Sequence, residues 1–269
     1  MAEIKLIGID VDNTLVNAKK KIAPQVKDAI FAAQQRGIKV VICTGRSLSG
    51  TQQYLKELGM TEKEDQYIVG FNGAVVETTN GNEIFAQQLS YENYLDLERI
   101  AREAKLHFQA VGANRIYTAN RDLGYYTVYN SRVVKMGISY RTKEEMANLP
   151  IYKCMYLDPP EHLDKFVKSS LFKDAMDKAD LTRTEPIYLE AVTKGINKGT
   201  GLAALCSHLG LSAENVMTIG DESNDISMLK YAGCGVAMGN AVPDVKKVAD
   251  MVTADCEHAG VAKAIKEIL

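Results

Sequence analysis

Hydrophobic and polar positions alternate in one way near the two ends of the chain and in another way in its middle. Lys5-Leu-Ile-Gly-Ile9 is a short apolar run that stops at Asp10. Val26, Ala29, Ile30 and Ala33 then fall at i, i+3, i+4 and i+7, the spacing of one helix face. Pro24 stands near the start of that helix and Gly37 just past its end, as helix punctuation predicts. Val40 to Cys43 predicts a second buried strand. Leu48, Tyr54, Leu55 and Leu58 predict a second helix stopped by Gly59, and Tyr67 to Phe71 a third strand ending at Asn72-Gly73. The same alternation returns late in the chain. Leu202, Leu205, Cys206 and Leu209 line a helix stopped by Gly210, and Val216 to Ile219 is a strand ending in Gly220-Asp221. A short helix, a strand around Val236, a helix around Val245, Met251 to Thr253 and a final helix through Val261, Ala264, Ile265 and Ile268 follow. Strands that alternate with helices imply a parallel sheet covered on both faces.

The middle mixes helical spacing (Leu97, Ile100, Ala101, Ala104) with Tyr-, Thr- and Ile-rich strands such as Ile116 to Thr118 and Ile151 to Leu157. Asp158-Pro159-Pro160 breaks it sharply. The fold expected is therefore an α/β, doubly wound, Rossmann-like core at residues 1–82 and 192–269, with an α+β domain inserted at 83–191. The joints are expected near Asn80-Gly81 and between Ala191 and Gly195. Tyr125, Tyr126 and Tyr129 are expected in strand packing, given the aromatic enrichment of strands.

Composition narrows the functional classes. The chain has 269 residues, 46% hydrophobic and 25% charged, with net charge −2, values of an ordinary globular protein. This balance argues against a nucleic-acid binder, which carries a basic surface. Apolar runs such as Val40–Cys43 are far shorter than the ~20 residues that span a bilayer. The first ten residues read as a strand rather than a secretory signal. Five scattered cysteines, with no C-x-x-C pair, suit free thiols in a cytoplasmic setting. His107, His162, His208 and His258 lack metal-type spacing, so no zinc site is expected.

The chemistry gathers at the ends of the predicted strands. Asp10-Val11-Asp12-Asn13-Thr14 follows the first one. Carboxylates are rarely buried without partners, and the carboxyl ends of strands in an open α/β sheet are where ligands bind. Oxygen donors there suit a hard cation. Asn13 suits a turn that needs left-handed backbone. Thr44-Gly45-Arg46 follows the second strand and offers a hydroxyl and backbone amides to an anion. Lys198 opens the helix of Leu202 and Leu205, a position opposed to the helix dipole that a bound anion would explain. Gly220-Asp221-Glu222-Ser223-Asn224-Asp225 brings further oxygens to another strand end. Each motif taken singly also fits a turn or a helix cap.

Together the four motifs, with Gly235-Val-Ala-Met-Gly-Asn-Ala241 and Ala259-Gly260-Val261, give a chain that resembles the haloacid dehalogenase-like hydrolases along essentially its whole length. Within them it resembles the Cof-type phosphatases with a large cap domain. The resemblance implies that Asp10 is the nucleophile that becomes an aspartyl phosphate, and that Asp12 is the general acid and base. It implies that Thr44 and Gly45 form the phosphate-binding turn, that Lys198 steadies nucleophile and phosphate, and that Asn224 lies near the phosphate. It implies a Mg²⁺ site from Asp10, the backbone carbonyl of Asp12, Asp221 and Asp225. Where the family usually has Gly after the second aspartate, this chain has Asn13. The expected activity is Mg²⁺-dependent hydrolysis of small phosphorylated metabolites, sugar phosphates first, with the cap selecting among them. A phosphohexomutase-like transferase shares these motifs, and a non-catalytic protein that binds phosphorylated metabolites is the reading from another class.

Overall fold

In the computed structural model, which describes residues 3–269, the first apolar run becomes β1 (Leu6–Ile9), buried at every position. After it come α1 (Pro24–Gln35), β2 (Lys39–Cys43), α2 (Leu48–Glu57), β3 (Tyr67–Gly70), β4 (Val75–Thr78) and β5 (Glu83–Ala86). The middle holds α3 (Tyr91–Ala104), β6 (Phe108–Val111), β7 (Arg115–Thr118), α4 (Tyr125–Val134) and β8 (Gly137–Tyr140). It continues through β9 (Lys153–Leu157), α5 (Pro160–Val167), α6 (Ser170–Met176), β10 (Asp180–Glu185) and β11 (Tyr188–Val192). The last part carries α7 (Lys198–Leu209), β12 (Val216–Gly220), α8 (Ile226–Tyr231), β13 (Cys234–Ala237), α9 (Pro243–Val248), β14 (Met251–Val252) and α10 (Gly260–Lys266).

The first and last parts build one eight-stranded sheet in the order β14-β13-β12-β1-β2-β3-β4-β5. Pairing is parallel from β14 to β3, and β4 turns back antiparallel. β1 lies between β12 and β2, with Ile9 level with both Ile219 and Ile42. The residues that follow these three strands therefore leave the sheet side by side. A Cβ on Gly8 would stand 3.2 Å from Cys43 Sγ on β2, tighter than an ordinary contact, and at ordinary contact distance, 3.5 Å, from Leu202 Cδ2 of α7. α7 packs with α8 and α1 with α10, so helices cover a sheet whose central strand is buried on both faces. α1 buries Val26, Ala29, Ile30 and Ala33, the residues its spacing predicted.

The insertion forms a six-stranded sheet in the order β10-β11-β9-β6-β7-β8. It is antiparallel except for the β7–β8 pair. Its own core joins Leu97, Ile100 and Phe166 from the helices to Phe108, Cys154, Tyr156 and Leu189 from the strands. Two compact units result, one running to Phe85 and resuming at Asn197–Leu269, the other Ala86–Ile196. The first crossing thus lies beyond the Asn80-Gly81 turn. That turn joins β4 to β5 inside the larger sheet, where an exposed hairpin read from sequence looks like a joint. Tyr125, Tyr126 and Tyr129 lie on helix α4, not on a strand. Tyr125 is 76% exposed and stacks on Tyr129 one turn away, so i,i+4 helix geometry prevails over the strand preference of the aromatic type.

Candidate active site at the carboxyl ends of the central strands

Asp10 is the first residue past β1 and keeps its backbone in the sheet, its N–H donating to Ile219 O at 3.0 Å. The chain then turns at Asn13, whose φ of +58° is the left-handed conformation that asparagine tolerates. Thr14 comes back under the loop, and its hydroxyl donates to Asp221 Oδ1 at 2.8 Å. Asn240 Nδ2 donates to Asp221 Oδ2 at 3.2 Å and to Asn13 O at 2.9 Å, closing the loop against Asp221.

Lys198 is the first residue of α7, fixed by a capping box between Asn197 and Thr200. It is only 1% exposed, and its Nζ donates to Asp10 Oδ1 at 2.5 Å and to Asp225 Oδ1 at 2.6 Å. Burial alone would drive the proton off this ammonium, but Asp10 and then Asp225 outweigh it and hold its pKa above the ordinary lysine value. Asp225 Oδ2 accepts the backbone N–H groups of Asp221 at 2.9 Å and Glu222 at 3.0 Å. One carboxylate thereby ties the lysine to the loop after β12.

Asp10, Asp221 and Asp225 place ligand atoms within 4.8 Å of one another, and all three residues are buried. Burial and then the Asp225 charge raise the Asp10 pKa well above the carboxylate range, although Lys198 opposes them. Asp221 is pushed up to about 7, first by burial, with Asp225 and Glu222 adding to it against the Thr14 hydroxyl. Three carboxylates against one ammonium form an all-oxygen donor set short of positive charge. That chemistry fits a hard divalent cation such as Mg²⁺.

Asp12, two residues from Asp10, has its side chain outside this cluster. Arg46 grips it from Nε to Oδ2 at 3.0 Å and from Nη2 to Oδ1 at 2.8 Å, and Lys20 Nζ donates to Oδ1 at 2.7 Å. Burial raises the Asp12 pKa, but Arg46 and then Lys20 more than offset it and hold the carboxylate below its usual range. Thr44 follows β2, with its N–H on Val69 O at 2.8 Å and its hydroxyl accepting from Arg46 N at 3.2 Å. Asn224 Nδ2 donates to Asn72 Oδ1 at 3.1 Å, and the Asn72 amide packs over Gly45. Cys43, beside Thr44, is a buried thiol that burial pushes up to about 12, a core residue.

Asp10, Lys198, Asp221 and Asp225 are thus brought into one cluster, while Thr44, Gly45 and Asn224 meet around Asn72. Arg46, Thr14, Asn72 and Asn240 were not singled out in the sequence. Arg46, Thr14 and Asn240 stand inside the quoted motifs, and Asn72 stands at the end of the third predicted strand. Only the fold shows that a guanidinium clamps Asp12 or that an amide bridges two loops.

The family profile described as haloacid dehalogenase-like hydrolase matches residues 7–265. The Bacillus subtilis protein YxeH is 38% identical over 98% of this chain and 98% of its own length. A crystal structure of a haloacid dehalogenase-like hydrolase from Bacteroides thetaiotaomicron superposes with a TM-score of 0.86 at 34% identity, covering 99% of this chain and all (100%) of that one. The subclass IIB sugar phosphatase BT4131 superposes with a TM-score of 0.82 at 25% identity, over 98% of each chain.

Proposed function

The chain belongs to the haloacid dehalogenase-like hydrolases, in their Cof-type branch, and is a phosphatase of that superfamily; from this premise we propose that it is a Mg²⁺-dependent enzyme that hydrolyses small phosphorylated metabolites, sugar phosphates foremost, through an aspartyl phosphate on Asp10. The observation that carries the reading is the buried ammonium of Lys198 shared by Asp10 and Asp225, beside a third carboxylate, Asp221. Such a set suits a nucleophile that must meet a dianionic phosphate ester. Asp10, Asp221, Asp225 and the Asp12 backbone carbonyl would hold Mg²⁺, whose charge offsets that of the ester oxygens.

The chain's own residues perform the steps. Lys198 fixes the Asp10 carboxylate through Oδ1 and screens its charge. An Asp10 oxygen bonds to phosphorus as the ester P–O bond breaks, and Asp12 gives its proton to the leaving alkoxide. Asp12, now ionised, takes a proton from water. That water's oxygen bonds to phosphorus, and the Asp10–phosphorus bond breaks to release inorganic phosphate. The Arg46 clamp favours the ionised form of Asp12, the form from which the second step starts. For the first step Asp12 must be protonated, so the clamp loosens as substrate enters. Thr44, the Gly45 amide and Asn224 position the phosphoryl group.

A sugar phosphatase among the structural neighbours supports the substrate class, and the inserted unit Ala86–Ile196 is where discrimination among metabolites is expected. The test is phosphate release from a panel of phosphorylated metabolites with Mg²⁺ present. Stoichiometric phosphate from hexose phosphates supports hydrolysis. Isomerised hexose phosphate without free phosphate would make the protein a mutase, and binding without turnover a sensor. Replacing residues 86–196 by a short linker should flatten the preferences and leave slow hydrolysis of p-nitrophenyl phosphate.

A further inference from the structure

Phe71, Asn72 and Gly73 take φ values of +51°, +55° and +98° in succession. Left-handed backbone is unfavourable for a residue with a Cβ, and it persists where the surroundings over-determine it. Here they do. Phe71 N donates to Arg46 O at 3.1 Å and Asn72 N to Thr44 O at 3.0 Å, so the turn is stitched along Thr44–Arg46. Asn72 is 5% exposed, and its Oδ1 accepts from Asn224 Nδ2 at 3.1 Å. A Cβ on Gly45 would lie 3.2 Å from that same Oδ1. A Cβ on Gly73 would collide with the carbonyl of Asn197, the cap of the helix that Lys198 opens. One strained turn thus touches the phosphate-binding turn, the acidic loop and the lysine helix.

We propose that Asn72 is a positioning residue for phosphoryl transfer, locking the Thr44–Gly45 turn to Asn224 and holding both in register with the Lys198–Asp10 pair. The inference rests on reading this site as one for phosphoryl transfer. Donors on separate loops must converge on one phosphoryl group, and a misplacement of about 1 Å can lower a rate about 100-fold. Asparagine combines tolerance of left-handed backbone with an amide that both donates and accepts. Glycine keeps the first property and removes the second, so the two roles can be separated.

The experiment compares wild type, Asn72→Gly, Asn224→Ala and the double variant, with Mg²⁺ present. Turnover of p-nitrophenyl phosphate, binding of inorganic phosphate by calorimetry and thermal unfolding are measured on each. Asn72→Gly should melt within a few degrees of wild type, lose about 10- to 100-fold in kcat/KM and bind phosphate correspondingly more weakly. The double variant should lose no more than the worse single variant, because both substitutions cut the same link. Wild-type kcat/KM and phosphate affinity in Asn72→Gly would overturn the proposal, as would losses that multiply in the double variant. If Asn72→Gly does not fold, Asn72→Ser decides. It adds no charge and shortens the side chain so that its oxygen no longer reaches Asn224, so phosphate binding should weaken about tenfold or more; unchanged binding would overturn the proposal. Failure of the phosphatase reading looks different: wild type would bind phosphate yet release none from any ester, and the binding comparison would still decide the role of Asn72.

Discussion

The two sheets hold their buried lysine–carboxylate pairs in different places. In the eight-stranded sheet the charged groups stand past the strand ends: Asp10 after β1, Asp221 after β12, Lys198 at the start of α7. In the six-stranded sheet Lys153 and Glu190 lie within β9 and β11, joined Nζ to Oε1 at 2.6 Å. Topology gives the reason. Neighbouring parallel strands all finish on one side, so their following loops converge there. Antiparallel strands finish on alternate sides, and a charge buried between them is an element of the sheet. The surroundings differ as well. Lys198 faces Asp10 and Asp225 with Asp221 close by, and burial first, with this excess of anion added, raises the pKa of Asp10 and of Asp221. The same hydrogen bond between lysine and carboxylate thus serves the proposed chemistry at the strand ends and stability inside the strands.

The largest effect expected from this contrast is that of Asp10→Asn. Turnover should fall by about 10⁴-fold or more, because the proposed nucleophile is gone. Thermal stability of the metal-free protein should hold or rise, because a carboxylate that burial disfavours is removed. Turnover close to wild type, or a large drop in Tm, would break the contrast. Chelation comes next: EDTA should abolish phosphate release and Mg²⁺ restore it. Mg²⁺ at about 100 times its Kd should also stabilise the fold by about 2.7 kcal/mol. Activity that survives EDTA would refute the metal assignment.

Asp12→Asn should lose about 10²–10⁴-fold on a sugar phosphate, whose alkoxide needs a proton. On p-nitrophenyl phosphate its first step should be largely spared, because nitrophenolate leaves unprotonated. A nitrophenolate burst equal to enzyme should then precede slow turnover. Equal losses on both substrates, with no burst, would reduce Asp12 to a structural residue. Lys153→Met breaks the Lys153–Glu190 pair inside the smaller sheet and should lower stability by about 3 kcal/mol or more, with or without Mg²⁺. Denaturant titration reads it, and an unchanged midpoint would remove the structural half of the comparison.

The remaining effect is that of pH on stability in EDTA. Asp221, at about 7 in the fold against 3.8 as an ordinary carboxyl, and Asp10, also raised, bind more protons folded than unfolded. Their contribution is present below about pH 4 and is lost as pH rises through 7. Tm in EDTA should therefore be higher at pH 5 than at pH 8 from these groups, and Mg²⁺, which favours their ionised forms, should shrink the difference. An Asp221→Asn variant should show a shallower slope, and a slope identical to wild type would place the titration elsewhere.

Much of this was legible in the chain itself. Local periodicity fixed the helix face of α1, whose buried residues are those the spacing names, and on α7 it found Leu202, Leu205 and Cys206 but overstated Leu209, which is only partly buried, because one face of a helix must find the core. The run from Lys5 to Ile9 and its stop at Asp10 marked a buried central strand that ends in clustered carboxylates. Asn13 declared a left-handed turn by its residue type. The placement of Tyr125 and Tyr129 was not legible, because aromatic residues suit strands and helices alike until the neighbouring elements compete. Neither was the limit of the insertion, because β5 is a short edge strand whose partner, β4, decides where it belongs.

What tertiary structure alone decided is pairing at a distance. Sequence presents Asp10 and Asp12 as twins two residues apart, and residue type gives both the same pKa. Folding sets one beside Asp225 and Lys198, from the far end of the chain, and the other beneath Arg46 and Lys20, so burial with like charge raises the first while a bidentate guanidinium lowers the second. It also bent Phe71–Gly73 into left-handed backbone between three loops that the sequence keeps far apart. Which residues bear charge is written locally. How strongly each holds its proton depends on the distance and dielectric between partners as remote in sequence as Thr14 and Asp221, 207 positions apart, and those exist only once the sheet has assembled.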